Sequence, residues 1–239
     1  MRPLLDLKLR LRAHPWVFKT VYKRKERAHW KARVVRPGDD AVIEGYPRSA
    51  NTFASYAFLE SQGDSIRFGN HFHTPAQFEL ARRYRIPAML VLRNPVDAAL
   101  SMMIFDGAMD ATEALLRYIA FHRPLLAITD SFVVAPFEEV TSDFGRSIDR
   151  LNDRFGSGFN RFDHSPEMQQ RVFDRIAANR RARIERDPKK HTANPLKTTT
   201  PTPEKLERQR QLAAAFEDSS LEPLKVEARR QYERLMATL

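Results

Sequence analysis

Apolar residues recur along the chain in two alternating textures. Short apolar runs read as strands: AVIEGY (41–46), SIRFGNHF (65–72), IPAMLVL (86–92) and FVVAPFEEV (132–140), the last a fourth strand or its approach. Between and after them lie stretches with helical spacing: NTFASYAFLES (51–61), PAQFELARRYR (75–85), VDAALSMMIF (96–105), TEALLRYIAFHRPLLAIT (112–129) and DFGRSIDRLNDRF (143–155). Gly63 marks the end of the first helix, and Pro75 sits in the first turn of the second, where a missing N–H costs nothing. Asn94 is a good N-cap, Pro95 a good first helical residue, and Asp97 lies near the positive helix end. IPAMLVL is the most apolar strand, as a central parallel strand covered on both faces should be. Strands alternating with helices at this spacing predict an α/β fold with a parallel, doubly wound central sheet flanked by helices and a helical C-terminal part.

The turn signal RPGDD (36–40) separates an N-terminal arm, residues 1–36, from a single α/β domain, residues 37–239. Within that domain, residues 161–239 are helical and loop-rich. A charged helix (165–187), a Pro- and Thr-rich loop (188–203) and two further helices (204–216, 224–239) are expected to lie over the core as lid and acceptor-site elements. There is no internal repeat.

Charge changes the picture at one end only. The chain carries a net charge of +10, and residues 1–36 alone hold 12 Lys and Arg against two acids, Asp6 and Glu26. The rest is therefore close to neutral. Such an arm suits an anionic membrane surface, an acidic polymer or a polyanionic ligand; equally, it is a solvated arm packed by Trp16, Val17, Phe18 and Tyr22. Asp6, Lys8, Arg10 and Arg12 interrupt the N-terminal leucines, so no secretory signal is read, and no apolar run nears the roughly 20 residues that span a bilayer. A cytoplasmic protein is expected, with peripheral contact at the inner face of the membrane through residues 1–36. With no cysteine, disulfides, zinc–thiolate sites and thiol nucleophiles are excluded.

Ligands of parallel α/β sheets bind beyond the carboxyl ends of the strands, which selects Tyr46–Thr52, Asn70–Thr74 and Arg93–Asp97. The first is an elbow with the spacing of a P-loop, but Ala50 stands at the second glycine and Asn51 at the lysine. Its helix N-terminus, the Arg48 cation and the polar Ser49, Asn51 and Thr52 suit one terminal phosphate. The alternative is an ordinary strand-to-helix turn capped by Ser49 or Asn51. Where a P-loop kinase ends a core strand in an acid, this chain has Arg93. Ser101, two helical turns on, can face the same ligand. The competing readings are an Arg93–Asp97 salt bridge and a helix–helix contact at Ser101. His71 and His73, two apart, share one face of an extended strand. A zinc pair lacks a third ligand, so a general base is the better reading, with one of the two structural.

These residues resemble the sulfotransferases that use 3′-phosphoadenylyl sulfate (PAPS), in their bacterial type. YPRSANTF resembles their phosphosulfate loop, VLRNPVDAALS their 3′-phosphate motif, HTP the segment carrying their base, and FVVAPFEEV a later strand, with Phe137 and Glu139 in place of Tyr and Asp. The resemblance covers residues 42–155 and implies a three-layer, P-loop-like fold. It implies transfer of a sulfuryl group from PAPS to a hydroxyl or amine of a small molecule, lipid or saccharide, leaving adenosine 3′,5′-bisphosphate (PAP), without a metal or a nucleic-acid partner. The implied catalytic residues are His73 and Arg48; the implied donor-binding residues are Arg48, Ser49, Ala50, Asn51, Thr52, Phe53, Arg93 and Ser101. His71 and Lys197 are further candidates, the latter because Lys189, Lys190 and Lys197 stand in for an absent C-terminal Arg-Lys-Gly segment. Ala50 adds a methyl where the backbone must approach the donor. The rival readings are a P-loop kinase-like phosphotransferase and a non-enzymatic basic module that binds RNA or membrane through residues 1–36.

Overall fold

Period-two alternation with apolar residues on both faces builds the centre of the molecule. In β1 (Ala41–Gly45), Val42 enters one core cluster while Ala41 and Ile43 enter another. In β3 (Ala88–Leu92), Ala88, Leu90 and Leu92 face the first cluster and Met89 and Val91 the second. β4 (Val133–Pro136) repeats the pattern, Val134 against Val133 and Ala135. Strands packed between two helical layers require this division. The structure is a computed structural model that describes residues 7, 9, 11, 13–22, 33–186 and 202–239, with the backbone alone at residues 21, 22 and 186.

With β2 (Phe68–Asn70) the four strands form one parallel sheet in the order β2-β1-β3-β4, in a register that sets Ile43 beside Met89 and Leu90 beside Val134. The helices, numbered along the chain, are α1 (Pro15–Tyr22), α2 (Asn51–Gln62), α3 (Ala76–Tyr84), α4 (Pro95–Asp106), α5 (Ala111–His122), α6 (Phe137–Ser142), α7 (Phe144–Phe155), α8 (Pro166–Arg186), α9 (Pro203–Ala213) and α10 (Glu222–Met236). Phe18 of α1, Phe78 of α3, Leu115 and Tyr118 of α5 and Leu235 of α10 fill the first cluster; Phe58 of α2, Ile148 of α7 and Val172 of α8 fill the second. The protein is thus a three-layer α/β fold of the P-loop-like kind. The chain leaves β1 towards β2 on one side and returns to β3 on the other, so a crevice opens at the carboxyl ends of β1 and β3.

The helix starts follow local chemistry. Asn94 caps α4, its side chain accepting from the N–H groups of Val96 and Asp97, and Asp110 caps α5 through the N–H of Glu113. Three expectations are corrected. The second strand ends at Asn70 instead of running through Phe72, because the next residues turn left-handed. The fourth ends at Pro136, and Phe137 and Glu139 lie on α6. The helix expected over 112–129 stops at His122, and a 3-10 stretch follows at Arg123–Ala127, where Pro124 has no N–H to continue it. The loop carrying Lys189, Lys190 and Lys197 lies outside the described residues. No helix among the described residues is long and apolar enough to cross a membrane.

Candidate phosphate-binding site

β1 enters the elbow at Gly45, where only a glycine fits. A Cβ there would stand 2.2 Å from the Val91 carbonyl oxygen of β3 and 2.8 Å from Asn51 Oδ1. The next residues carry unusual backbone: Arg48 has φ 73° and Ala50 φ 68°, both left-handed. Such conformations cost a residue with a Cβ about 1–2 kcal/mol and persist only where the surroundings hold them. Asn51 supplies part of that hold, donating from its side chain to the Tyr46 carbonyl at 2.8 Å. Neither Ser49 nor Asn51 caps α2. Ala50 occupies the N-cap position and no side chain accepts from the first turn, so the donors of the helix start point into the elbow. Ser49 is fully buried, and its hydroxyl makes no hydrogen bond among the described residues.

β3 delivers the second cation. The Arg93 guanidinium donates to the Arg48 carbonyl at 2.9 Å and stacks on the Phe137 ring at 4.2 Å. The Arg93 carbonyl accepts from Tyr118 Oη at 2.8 Å, which ties the strand end to α5. Arg93 does not close a salt bridge on Asp97, although that carboxylate and Glu138 lie near enough to favour its charge. Ser101 on α4 accepts from Arg48 Nε at 3.2 Å, so its hydroxyl faces the elbow and not a neighbouring helix. The Arg48 guanidinium also lies over the Phe105 ring at 4.9 Å. Burial lowers the Arg48 guanidinium to about 10, and repulsion from Arg93 adds to that; burial also lowers Arg93. Both stay charged at neutral pH, so two partly desolvated cations from two strand ends stand close together.

The histidine turn is held from β1. Glu44, a fully buried carboxylate, accepts from the backbone N–H groups of Gly45 (3.1 Å), Phe72 (2.8 Å) and His73 (3.0 Å). These bonds take the chain off the sheet after Asn70. His71 and His73 adopt φ 56° and 50°, so neither sits on an extended strand, and the shared-face geometry gives way to a tight turn. Their rings nevertheless lie 5.8 Å apart. Burial, with repulsion from His73, lowers His71 to about 4, and its Nε2 lies 3.3 Å from Thr52 Oγ1. A ring that resists protonation this strongly is a poor proton acceptor at neutral pH and anchors the turn on α2.

His73 is set up differently. Its Nδ1 lies 2.9 Å from the Gly45 carbonyl oxygen and 3.3 Å from Glu44 Oε1. A carbonyl oxygen only accepts, so Nδ1 carries the proton and Nε2 is the acceptor of the ring. The ring forms part of the wall of a cavity shared with Tyr46, Pro47, Met102, Arg117 and Phe121.

The structure therefore brings Arg48, Thr52, Arg93 and Ser101 together at one strand-end crevice, with His71 joined to it through Thr52. Ser49, Ala50 and Asn51 shape the elbow with their backbone. The Phe53 ring turns away, packing against Phe162, His164 and Phe173 at 5.7–6.2 Å, so only its backbone N–H belongs to the site. Two residues escaped the sequence reading. Glu44 carried a signal, since an acid inside an apolar parallel strand must be buried and bonded. Lys205, in the first turn of α9, carried none. Burial and then repulsion from Arg48 and Arg180 lower its ammonium to about 8, so it lies within electrostatic reach of Arg48. The later-strand position Glu139 is engaged with Ser147 and Arg150.

No protein-family model matches the chain, and no curated protein matches it. Among solved structures, mouse sulfotransferase SULT7A1 complexed with PAP aligns with it at 15% sequence identity and a TM-score of 0.37, over 83% of this chain and 90% of that one.

Proposed function

We propose that this chain is a sulfotransferase, moving a sulfuryl group from PAPS to an acceptor hydroxyl or amine and releasing PAP. The observation that carries the reading is the junction of Arg48 with Ser101 and of Arg93 with the Arg48 carbonyl. Two motifs that resemble separate phosphate-binding segments, 45 residues apart, meet in one cationic crevice at an uncapped helix start.

The residues fit such a donor. The first-turn N–H groups of α2, Thr52 and Arg48 would hold the 5′-phosphosulfate end, and charge growing on the departing phosphate is where preorganised donors act most strongly. Arg93 and Ser101 would hold the 3′-phosphate and so orient the donor. Lys205 would add a third cation on the Arg48 side. His73 would accept the acceptor's proton at Nε2, while Gly45 and Glu44 fix the ring. The bond from sulfur to the bridging phosphate oxygen breaks as the bond to the acceptor heteroatom forms, and the acceptor's proton passes to His73.

A kinase-like reading finds less support. The residue at the lysine position, Asn51, is turned inward onto Tyr46, and the core strand ends in Arg93, not a carboxylate. The test is a transfer assay with labelled donor on His73→Gln. Transfer is expected to fall by about 10²–10⁴-fold, the usual contribution of a general base, with PAP binding retained. Transfer within about threefold of the parent would remove His73 from the mechanism.

A further inference from the structure

The described part of the N-terminal segment has two apolar faces. Leu7, Leu9, Leu11 and Ala13 are helical. Leu9 and Ala13 line the cavity that contains His73. Leu7 and Leu11, one turn apart, project from the opposite side and are 55% and 50% exposed. α1 repeats the division: Phe18 is fully buried, its ring 5.2 Å from that of Phe72, while Trp16 is 70% exposed. Of the seven large hydrophobic side chains exposed among the described residues, three therefore stand on the segment that walls the cavity.

Charge selects what would cover them. Residues 1–36 hold 12 cations and two acids while the remainder is close to neutral. Apolar side chains interleaved with cations suit the headgroup region of an anionic bilayer, where each finds its own environment. A nucleic acid would use the charge and leave the leucines and Trp16 in water. A second copy would set one cationic segment against another. The cavity beneath is amphipathic: of the described residues lining it seven are apolar, Leu9, Met102 and Phe121 among them, and Tyr46, His73, Thr74 and Arg117 bring polar groups. A saccharide needs a polar partner for nearly every hydroxyl, whereas an amphipathic alcohol or amine needs one at its head.

We propose that the segment bearing Leu7, Leu11 and Trp16 docks on an anionic lipid surface, and that the acceptor is a hydroxyl- or amine-bearing lipid admitted to the cavity beneath it. The acceptor half rests on the sulfotransferase reading; the docking half stands without it.

The experiment uses the full chain carrying Trp30→Phe, which leaves Trp16 as the one tryptophan. Cosedimentation is measured with phosphatidylcholine vesicles and with mixed phosphatidylcholine–phosphatidylglycerol vesicles. Binding to the mixed vesicles is expected to be at least tenfold tighter, to weaken with salt, and to shift Trp16 emission to the blue. Leu7→Glu, Leu11→Glu and Trp16→Glu combined should weaken it at least tenfold while the thermal shift caused by PAP is unchanged. Equal binding to both vesicle types overturns docking, as does vesicle binding that survives the triple substitution. Binding to single-stranded RNA without binding to vesicles, or a dimer that the triple substitution dissolves, assigns the face elsewhere and also overturns it. Labelled donor offered to a lipid extract and to oligosaccharides should leave label in the organic phase; label in the sugars alone overturns the acceptor half. Loss of both PAP binding and transfer, with vesicle docking intact, removes the sulfotransferase reading and leaves docking standing.

Discussion

Replacing Arg48 with methionine separates a binding role from a structural one. The substitution keeps an unbranched stem and the backbone carbonyl that Arg93 uses, and removes the guanidinium. Its cost to the unliganded protein can be worked from the surroundings. The fall of the Arg48 guanidinium to about 10 corresponds to roughly 3 kcal/mol of penalty on the charged form. The side chain is only half-buried, so solvent screening reduces that to about 1–2 kcal/mol. Against this stand, among the described partners, the hydrogen bond to Ser101, worth about 1 kcal/mol, and the contact with the Phe105 ring, about 0.5–1 kcal/mol. The terms nearly cancel, and unliganded stability should stay within about 1 kcal/mol of the parent. Binding should respond very differently. Losing charge-assisted bonds to a phosphate removes about 3 kcal/mol, or roughly 100-fold in affinity. Urea unfolding with PAP at about 100 times the parent Kd should show about 2.7 kcal/mol of stabilisation in the parent and under about 0.5 kcal/mol in Arg48→Met. A loss above about 2 kcal/mol without ligand would make Arg48 a structural residue. Full retention of the PAP effect would remove it from the site.

Two further outcomes follow from backbone and burial. Ala50→Gly relieves a left-handed N-cap residue at φ 68°, and should raise stability by about 0.5–1 kcal/mol after the glycine's own entropy cost, or about 1–3 °C in Tm; a lower Tm would show that the methyl packs usefully. Acidification should destabilise the protein through His71 and His122, whose folded values are lowered by burial to about 4 and about 3. The stabilities of both forms run parallel above about pH 6.5; below it the unfolded chain takes up protons the folded one refuses. Stability is then lost as pH falls from about 6.5 towards 4, at about 1.4 kcal/mol per pH unit for each histidine. Urea midpoints that do not change between pH 6.5 and 4.5 would contradict that burial.

What could be read from the sequence was what local chemistry decides. Asn94, Pro95 and Asp97 fix the start of α4 through contacts within three residues, so the helix that carries Ser101 was legible. The alternating cores were legible because β3 is apolar on both faces. The histidine turn was not. Its left-handed residues are imposed by Glu44, a carboxylate nearly thirty positions earlier, and strand propensity in SIRFGNHF carries no trace of that capture. Asn51 looked like a ligand-facing residue or a cap, yet its amide serves Tyr46, because an elbow with two left-handed residues needs an internal brace. Lys205 was invisible for a topological reason: only the return of α9 across α4 brings it within electrostatic reach of Arg48.

On the proposed function, the crevice between β1 and β3 binds a 3′,5′-bisphosphorylated adenosine and not a nucleoside triphosphate. Thermal unfolding of the full chain with each ligand tests it directly. At about 100 times its Kd, PAP should raise Tm by about 5–10 °C, while ATP with magnesium at the same concentration should raise it by no more than about 2 °C. A large shift with ATP and magnesium, and none with PAP, would overturn the sulfotransferase reading.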